Sequence, residues 1–114
     1  MRFEQLTEFD KDLKKLLKRF RTLEEDLKVV KQVLSIAPEA RPPFSYVVDG
    51  LRLQQPVIKV KRIACKTLKG KGNNTGLRLV YAWFETEKRI VLIELYFKGD
   101  KEVEDRERIL KYFK

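Results

Sequence analysis

Two apolar runs in close succession constrain this chain more than any other stretch. Leu77 to Glu85, LRLVYAWFE, is rich in β-branched and aromatic residues, and Ile90 to Phe97, IVLIELYF, is apolar again. Only a short polar segment, Thr86 to Lys88, separates them. That pattern predicts two antiparallel strands joined by a hairpin. Side chains alternate faces along a strand. On the first strand Leu77, Leu79, Tyr81 and Trp83 share one face, and Arg78, Val80, Ala82 and Phe84 the other. On the second, strict alternation groups Val91, Ile93, Leu95 and Phe97 against Ile90, Leu92, Glu94, Tyr96 and Lys98.

A basic, glycine-punctuated loop precedes the hairpin: Lys66, Lys69, Gly70, Lys71, Gly72, Asn73, Asn74, Thr75, Gly76. If the bulky apolar faces meet helices, the remaining face carries Arg78, Glu94, Tyr96 and Lys98 beside these lysines. A cationic concavity with one tyrosine and one glutamate reads as a phosphate-handling site.

The flanking sequence supplies the helices. Thr7 is a candidate N-cap, and Phe9, Leu13, Leu16, Leu17 and Phe20 recur at helical spacing. Thr22 with Glu25 reads as a capping box for a second helix, whose stripe is Leu23, Leu27, Val30, Val33 and Leu34. Arg2 to Leu6 is a short edge strand. Pro38, Pro42, Pro43 and Pro56 interrupt regular structure, and between them Phe44 to Leu53 forms a short strand or an ordered loop. Val57 to Cys65 is a strand on which Arg62 shares parity with Lys66. Glu102 to Phe113 closes the chain as a helix, with Val103, Ile109, Leu110 and Phe113 as anchors. The order is β-α-α-β-β-β-α: an α+β layer with one small antiparallel sheet, an N-terminal helical hairpin and a C-terminal helix. No repeat or linker divides it, so residues 1–114 are expected to form a single domain.

Composition bounds the partners. The chain has 114 residues, a net charge of +9 and no histidine, so its charge is insensitive to pH near neutrality. That balance favours an anionic partner: nucleic acid, an acidic membrane surface or an acidic protein. The single cysteine, Cys65, excludes an intrachain disulfide and a zinc cluster, and its position on a strand points to a buried structural thiol. No segment has the length and hydrophobicity of a membrane span or a signal peptide, which leads to the expectation of a soluble cytoplasmic protein.

RNA cleavage by the strand's own 2′-hydroxyl needs a base for that hydroxyl, cations for the phosphorane-like transition state and an acid for the departing 5′-oxygen. Without histidine or a carboxylate cluster for two metals, the available groups are lysine, arginine, tyrosine and one glutamate. Lysine serves as a base only where burial or neighbouring cations lower its pKa. Arg78 suits charge stabilisation, because its planar fork matches phosphate oxygens. Tyr96 can stack on a base or donate a proton. Glu94 can orient Arg78 or act as a base. The bland alternatives are an Arg78–Glu94 pair at the sheet surface and solvated loop lysines.

The run Gly76-Leu77-Arg78-Leu79-Val80-Tyr81, the lysine-rich loop before it and a hairpin ending in Tyr96-Phe97-Lys98 together resemble the RelE toxins of the RelE/ParE superfamily. The resemblance implies the toxin of a type II toxin–antitoxin system: a metal-independent endoribonuclease that cleaves messenger RNA in the ribosomal A site. It implies an acidic antitoxin as partner, mRNA and the ribosome as targets, and neither metal nor cofactor. Arg78 is similar to the family's strand arginine, and Lys66, with Lys69 or Lys71, to its loop-proximal lysines. Lys98 stands where the family has a basic residue, here lysine in place of arginine. The family's C-terminal tyrosine has no direct counterpart, since Tyr112 lies later and Tyr96 earlier. The catalytic set expected is therefore Arg78, Lys66, Lys98 and Tyr96, with Arg62, Lys69, Lys71 and Glu94 contacting RNA. The alternatives are a ParE-like toxin that inhibits gyrase by binding, and a non-catalytic RNA-binding domain.

Overall fold

A computed structural model describes residues 1–114. Its elements are β1 (Arg2–Gln5), α1 (Thr7–Leu17), α2 (Leu23–Ile36), β2 (Ser45–Val47), β3 (Val57–Val60), β4 (Leu77–Phe84), β5 (Arg89–Phe97) and α3 (Arg106–Phe113). The five strands make one sheet in the order β1-β5-β4-β3-β2. The α+β class and the central hairpin are as the sequence predicts. Two details differ. The sheet is mixed, because β1 runs parallel to β5, and the Pro-bounded segment contributes an edge strand, β2.

The first face of the sheet is covered by α1 and α2. Phe9, Leu16, Leu23, Leu27, Val30 and Leu34 pack there on Leu77, Leu79, Tyr81 and Trp83 of β4. Burying one such aliphatic side chain stabilises by about 1.5–3 kcal/mol. Val33 is exposed, with Val29 and Ile36, so the α2 stripe is narrower than its sequence suggests. Thr22 precedes α2 but does not cap it: its Oγ donates to Asp26 at 2.8 Å and pairs with Thr67 Oγ1 at 2.9 Å. Cys65 is buried in this core, as a structural thiol would be.

Strict alternation fails on β5. Leu79 faces Leu95 and Val80 faces Glu94, but Tyr81 faces Leu92, leaving Ile93 without a partner in a β-bulge. One extra residue flips the parity of what precedes it. Ile90 and Leu92 therefore join Leu95 and Phe97 on the α1/α2 side. Val91 and Ile93 join Tyr96 on the other. The bulge is held by side chains from two helices. Asp12 Oδ2 of α1 accepts from Leu95 N at 3.1 Å, and Arg108 Nη1 of α3 donates to Ile93 O at 2.9 Å and to Asp12 at 2.7 Å.

The second face is covered only in part. Ile109, Leu110 and Phe113 of α3 pack on Val80, Ala82, Val91 and Ile93, with the Phe113 ring 6.1 Å from that of Phe84. The helix starts at Arg106, later than the sequence suggests, because Asp105 caps it by accepting from Arg108 N at 3.0 Å. Val103 is thereby left exposed and is not an anchor. Gly76 leads into β4 with φ +87°, and a Cβ there would stand 3.3 Å from the Phe97 ring, so glycine fits where other residues would not. No helix is long and apolar enough to cross a membrane.

Candidate functional site

The end of the sheet that α3 leaves uncovered is cationic. Register explains why. Tyr46 of β2 faces Lys59 of β3, Lys59 faces Val80 of β4, and Val80 faces Glu94 of β5. Arg78 faces Tyr96. Because side chains at i and i+2 share a face, Lys61 falls beside Arg78, and Lys98 follows Tyr96. Lys98 is held by its main chain, whose N–H donates to Gly76 O at 2.7 Å.

Arg78 is half-buried and has no carboxylate partner. Its Nη1 donates to Lys61 O at 3.0 Å and to its own neighbour Leu77 O at 3.4 Å. Those bonds fix the guanidinium and leave its charge uncompensated. Lys61 is pushed below the ordinary lysine value, first by burial and then by the charges of Lys59, Arg78 and Lys98, against the opposing pull of Glu104. Lys59 differs. Burial alone would lower it, but the hydrogen bond and charge of Glu104, at 2.7 Å, outweigh that and raise it. Glu104 is buried and is held below the usual carboxylate range, because Lys59 and Arg106 outweigh the effect of its burial.

Each sequence-predicted residue has a definite place. Arg78 and Lys98 lie in the cluster. Lys66 does not: it stands with α2, its ammonium 3.7 Å from Glu25 and its N–H directed at Asp26. Lys69 and Lys71 are exposed on a loop that is tied back elsewhere, through Leu68 packed on the α1/α2 core and through Arg62 Nη1 donating to Asn74 Oδ1 at 2.7 Å. Arg62 therefore braces the loop. Glu94 does not pair with Arg78. It accepts from Lys101 at 2.6 Å and from Asp105 N at 2.7 Å, which docks the segment leading into α3. Tyr96 is only 4% exposed, so its ring offers no face to a base, and its hydroxyl makes no hydrogen bond. Burial raises its pKa despite nearby Lys59.

Sequence reasoning missed Lys59, Lys61, Tyr46 and Glu104. The signal for the first two was present: Val57, Lys59 and Lys61 alternate with Ile58 and Val60. Nothing in the sequence marks Tyr46 or Glu104, which reach this face through β2 pairing and the turn after β5.

The cluster can do two things chemically. Arg78 and Lys98 present positive charge that no carboxylate compensates, whereas the charge of Lys59 is taken up by Glu104 at 2.7 Å; such preorganised charge can stabilise an anion. Lys61, with its lowered pKa, is the lysine suited to take up a proton.

No family model matches this sequence, and no curated protein does. Among solved structures, the chain is similar to a copper-bound mutant toxin from Helicobacter pylori, with a TM-score of 0.55 and 18% identity over 89% of this chain and 98% of that one. It is similar also to the conserved hypothetical protein HP0892 from Helicobacter pylori, with a TM-score of 0.50 and 22% identity over 88% and 97% of the two chains. At these identities the likeness is one of fold. The α+β layer seen here is thus a fold that a bacterial toxin adopts, and what the chain does with it rests on its side chains.

Proposed function

We propose that this chain is the toxin of a type II toxin–antitoxin pair and an endoribonuclease that cleaves messenger RNA on the ribosome without a metal. The observation that carries the reading is the convergence of Lys61, Arg78 and Lys98 on the uncovered end of the sheet, with Lys61 depressed by burial and then by its cationic neighbours. Neutral Lys61 removes the 2′-hydroxyl proton. The 2′-oxygen attacks phosphorus and the bond to the 5′-oxygen breaks. Arg78 and Lys98 hold the phosphorane oxygens, and Lys98, at the free end of β5, supplies the proton that the 5′-oxygen takes. The products are a 2′,3′-cyclic phosphate and a 5′-hydroxyl end. The toxin fold of the Helicobacter pylori relative supports this reading. The net charge of +9 suits both RNA and an acidic antitoxin.

The test is to map new 5′-hydroxyl ends on messages engaged by ribosomes, with and without a chelator that spares ribosomal magnesium. Codon-associated cuts with or without chelator support the proposal. Cuts that need added metal at the site, or none alongside gyrase inhibition, contradict it.

A further inference from the structure

Tyr46 is the exposed aromatic residue of the cationic face. It is 39% exposed, whereas the other tyrosine on that face, Tyr96, is buried. It lies on the edge strand β2, in register with Lys59. The Lys61 ammonium stands 4.8 Å from its ring centre. A groove beside it is lined by Tyr46, Lys59, Lys61, Val103, Arg106 and two carboxylates, Asp49 and Glu104. Val103 is exposed and gives the groove an apolar rim. Of the two carboxylates only Asp49 is open, since the oxygens of Glu104 are held by Lys59 at 2.7 Å and Arg106 at 3.1 Å.

We propose that this groove is a nucleobase subsite, in which Tyr46 stacks one base of a single RNA strand while Arg78 and Lys98 hold the phosphate beside it. The inference rests on reading the cationic face as an RNA-cleaving site, and it gives that site a grip on the base as well as the backbone. An aromatic face next to a row of cations is how single strands are held, because every base has a π-face and every linkage a charge. The ring's present partner is the Lys61 ammonium, a cation–π contact. A base that stacks there displaces that ammonium from the ring and removes a contact that favours its charged form. Binding thus couples the platform to the residue that acts as base. One exposed valine makes too small an apolar area to seat a partner helix, but it suits the edge of one planar ring.

The experiment titrates a labelled RNA oligomer, made uncleavable by 2′-O-methyl groups, and a set of matched oligomers each with one abasic position. Wild type, Tyr46→Phe, Tyr46→Ala and Arg78→Ala are compared at one salt concentration by fluorescence anisotropy. Tyr46→Ala is expected to bind the complete strand about tenfold more weakly. On the oligomer whose abasic position falls at the subsite, wild type and Tyr46→Ala should bind alike. Tyr46→Phe should bind as wild type does, and Arg78→Ala should weaken binding to every oligomer equally. Equal losses for Tyr46→Ala on all strands, or no loss on any, overturn the subsite. If Arg78→Ala still weakens binding in that case, the cationic face stands without the platform. If Arg78→Ala binds like wild type, or wild type binds none of the oligomers, both readings fall.

Discussion

Arg78 of β4 donates from its guanidinium to the main-chain carbonyl of Lys61, beyond β3, at 3.0 Å. One cation is thus anchored to the backbone that carries another. The bond orients the Arg78 fork without neutralising it. It also keeps the charge beside Lys61, where it contributes to that lysine's lowered pKa.

Arg78→Ala is expected to slow cleavage of a ribosome-bound message by a hundredfold or more, equivalent to ~3 kcal/mol of transition-state stabilisation. Arg78→Lys keeps the charge but loses the planar fork and its anchor, so it should recover only a small part of that loss. Single-turnover rates check both. Thermal unfolding should change little, since the lost hydrogen bond contributes about 1 kcal/mol.

A lysine can serve as the base only when neutral, so under the proposed mechanism cleavage should rise with pH and level off below the ordinary lysine value of 10.5. Lys61→Arg, which stays charged, should be nearly inactive across the range. Lys66→Ala, next to α2 rather than the cluster, should change the rate little. A pH–rate profile of the chemical step for the three proteins is the measurement. A profile for Lys61→Arg that matches wild type would remove the lysine from its role.

Lys59 and Glu104 form an ion pair with side chains 16% and 5% exposed. Removing one partner leaves the other buried and less compensated, so Glu104→Gln should destabilise the fold by ~3 kcal/mol. The pH dependence has a definite sign. Glu104 is depressed on folding, so its stabilisation is present above its unfolded value near 4.5 and is lost as pH falls through the lower folded value. Lys59 is raised, so its stabilisation is present below 10.5 and is lost as pH climbs through the folded value. Denaturant melts from pH 2 to 6 should show acid destabilisation that is shallower in Glu104→Gln, with the pH range following from these shifts.

Asp12 and Arg108 join α1 and α3 across the β5 bulge, their side chains 20% and 15% exposed. Asp12→Ala leaves the guanidinium with Asp105 at 3.7 Å as its remaining carboxylate and leaves Leu95 N without its acceptor, for an expected loss of ~3 kcal/mol, the low end for breaking a buried pair. Combining it with Arg108→Met should lose less than the sum of the single changes. Equilibrium unfolding of the double-mutant cycle measures this. Additive effects would mean that the two residues act separately.

The fold was largely legible and the site only partly so, for identifiable reasons. The hairpin and both N-terminal helices follow from periodicity, because burial against a layer imposes it; β3 does so only in its first half, since it ends at Val60 rather than at Cys65. The parallel pairing of β1 does not, since an exposed strand of four residues carries no pattern to read. The β5 bulge defeated the alternation rule, because nothing in IVLIELYF marks Ile93 as the extra residue. That error matters little for Glu94, Tyr96 and Lys98, which follow the bulge and keep the face assigned to them. Glu94 was expected beside Arg78, but Lys101, seven residues on, lies closer to it once the chain turns at Gly99 and Asp100. Lys66 looked close to the site because the loop leads into β4. The Thr22–Thr67 and Asp26–Lys66 hydrogen bonds instead fasten the loop's start to α2. Lys59 and Lys61 were readable from β3, where two lysines alternate with buried Ile58 and Val60.

The most direct measurement replaces one ribose. A message cut by the protein is prepared with a single 2′-deoxy nucleotide on the 5′ side of the scissile linkage and presented on the ribosome. If Lys61, Arg78 and Lys98 act on the strand's own 2′-hydroxyl, the ribose message yields a 2′,3′-cyclic phosphate and a 5′-hydroxyl end, and the deoxy message is not cut there. Cutting of the deoxy message at the same linkage, or products that carry a 5′-phosphate, would contradict the account.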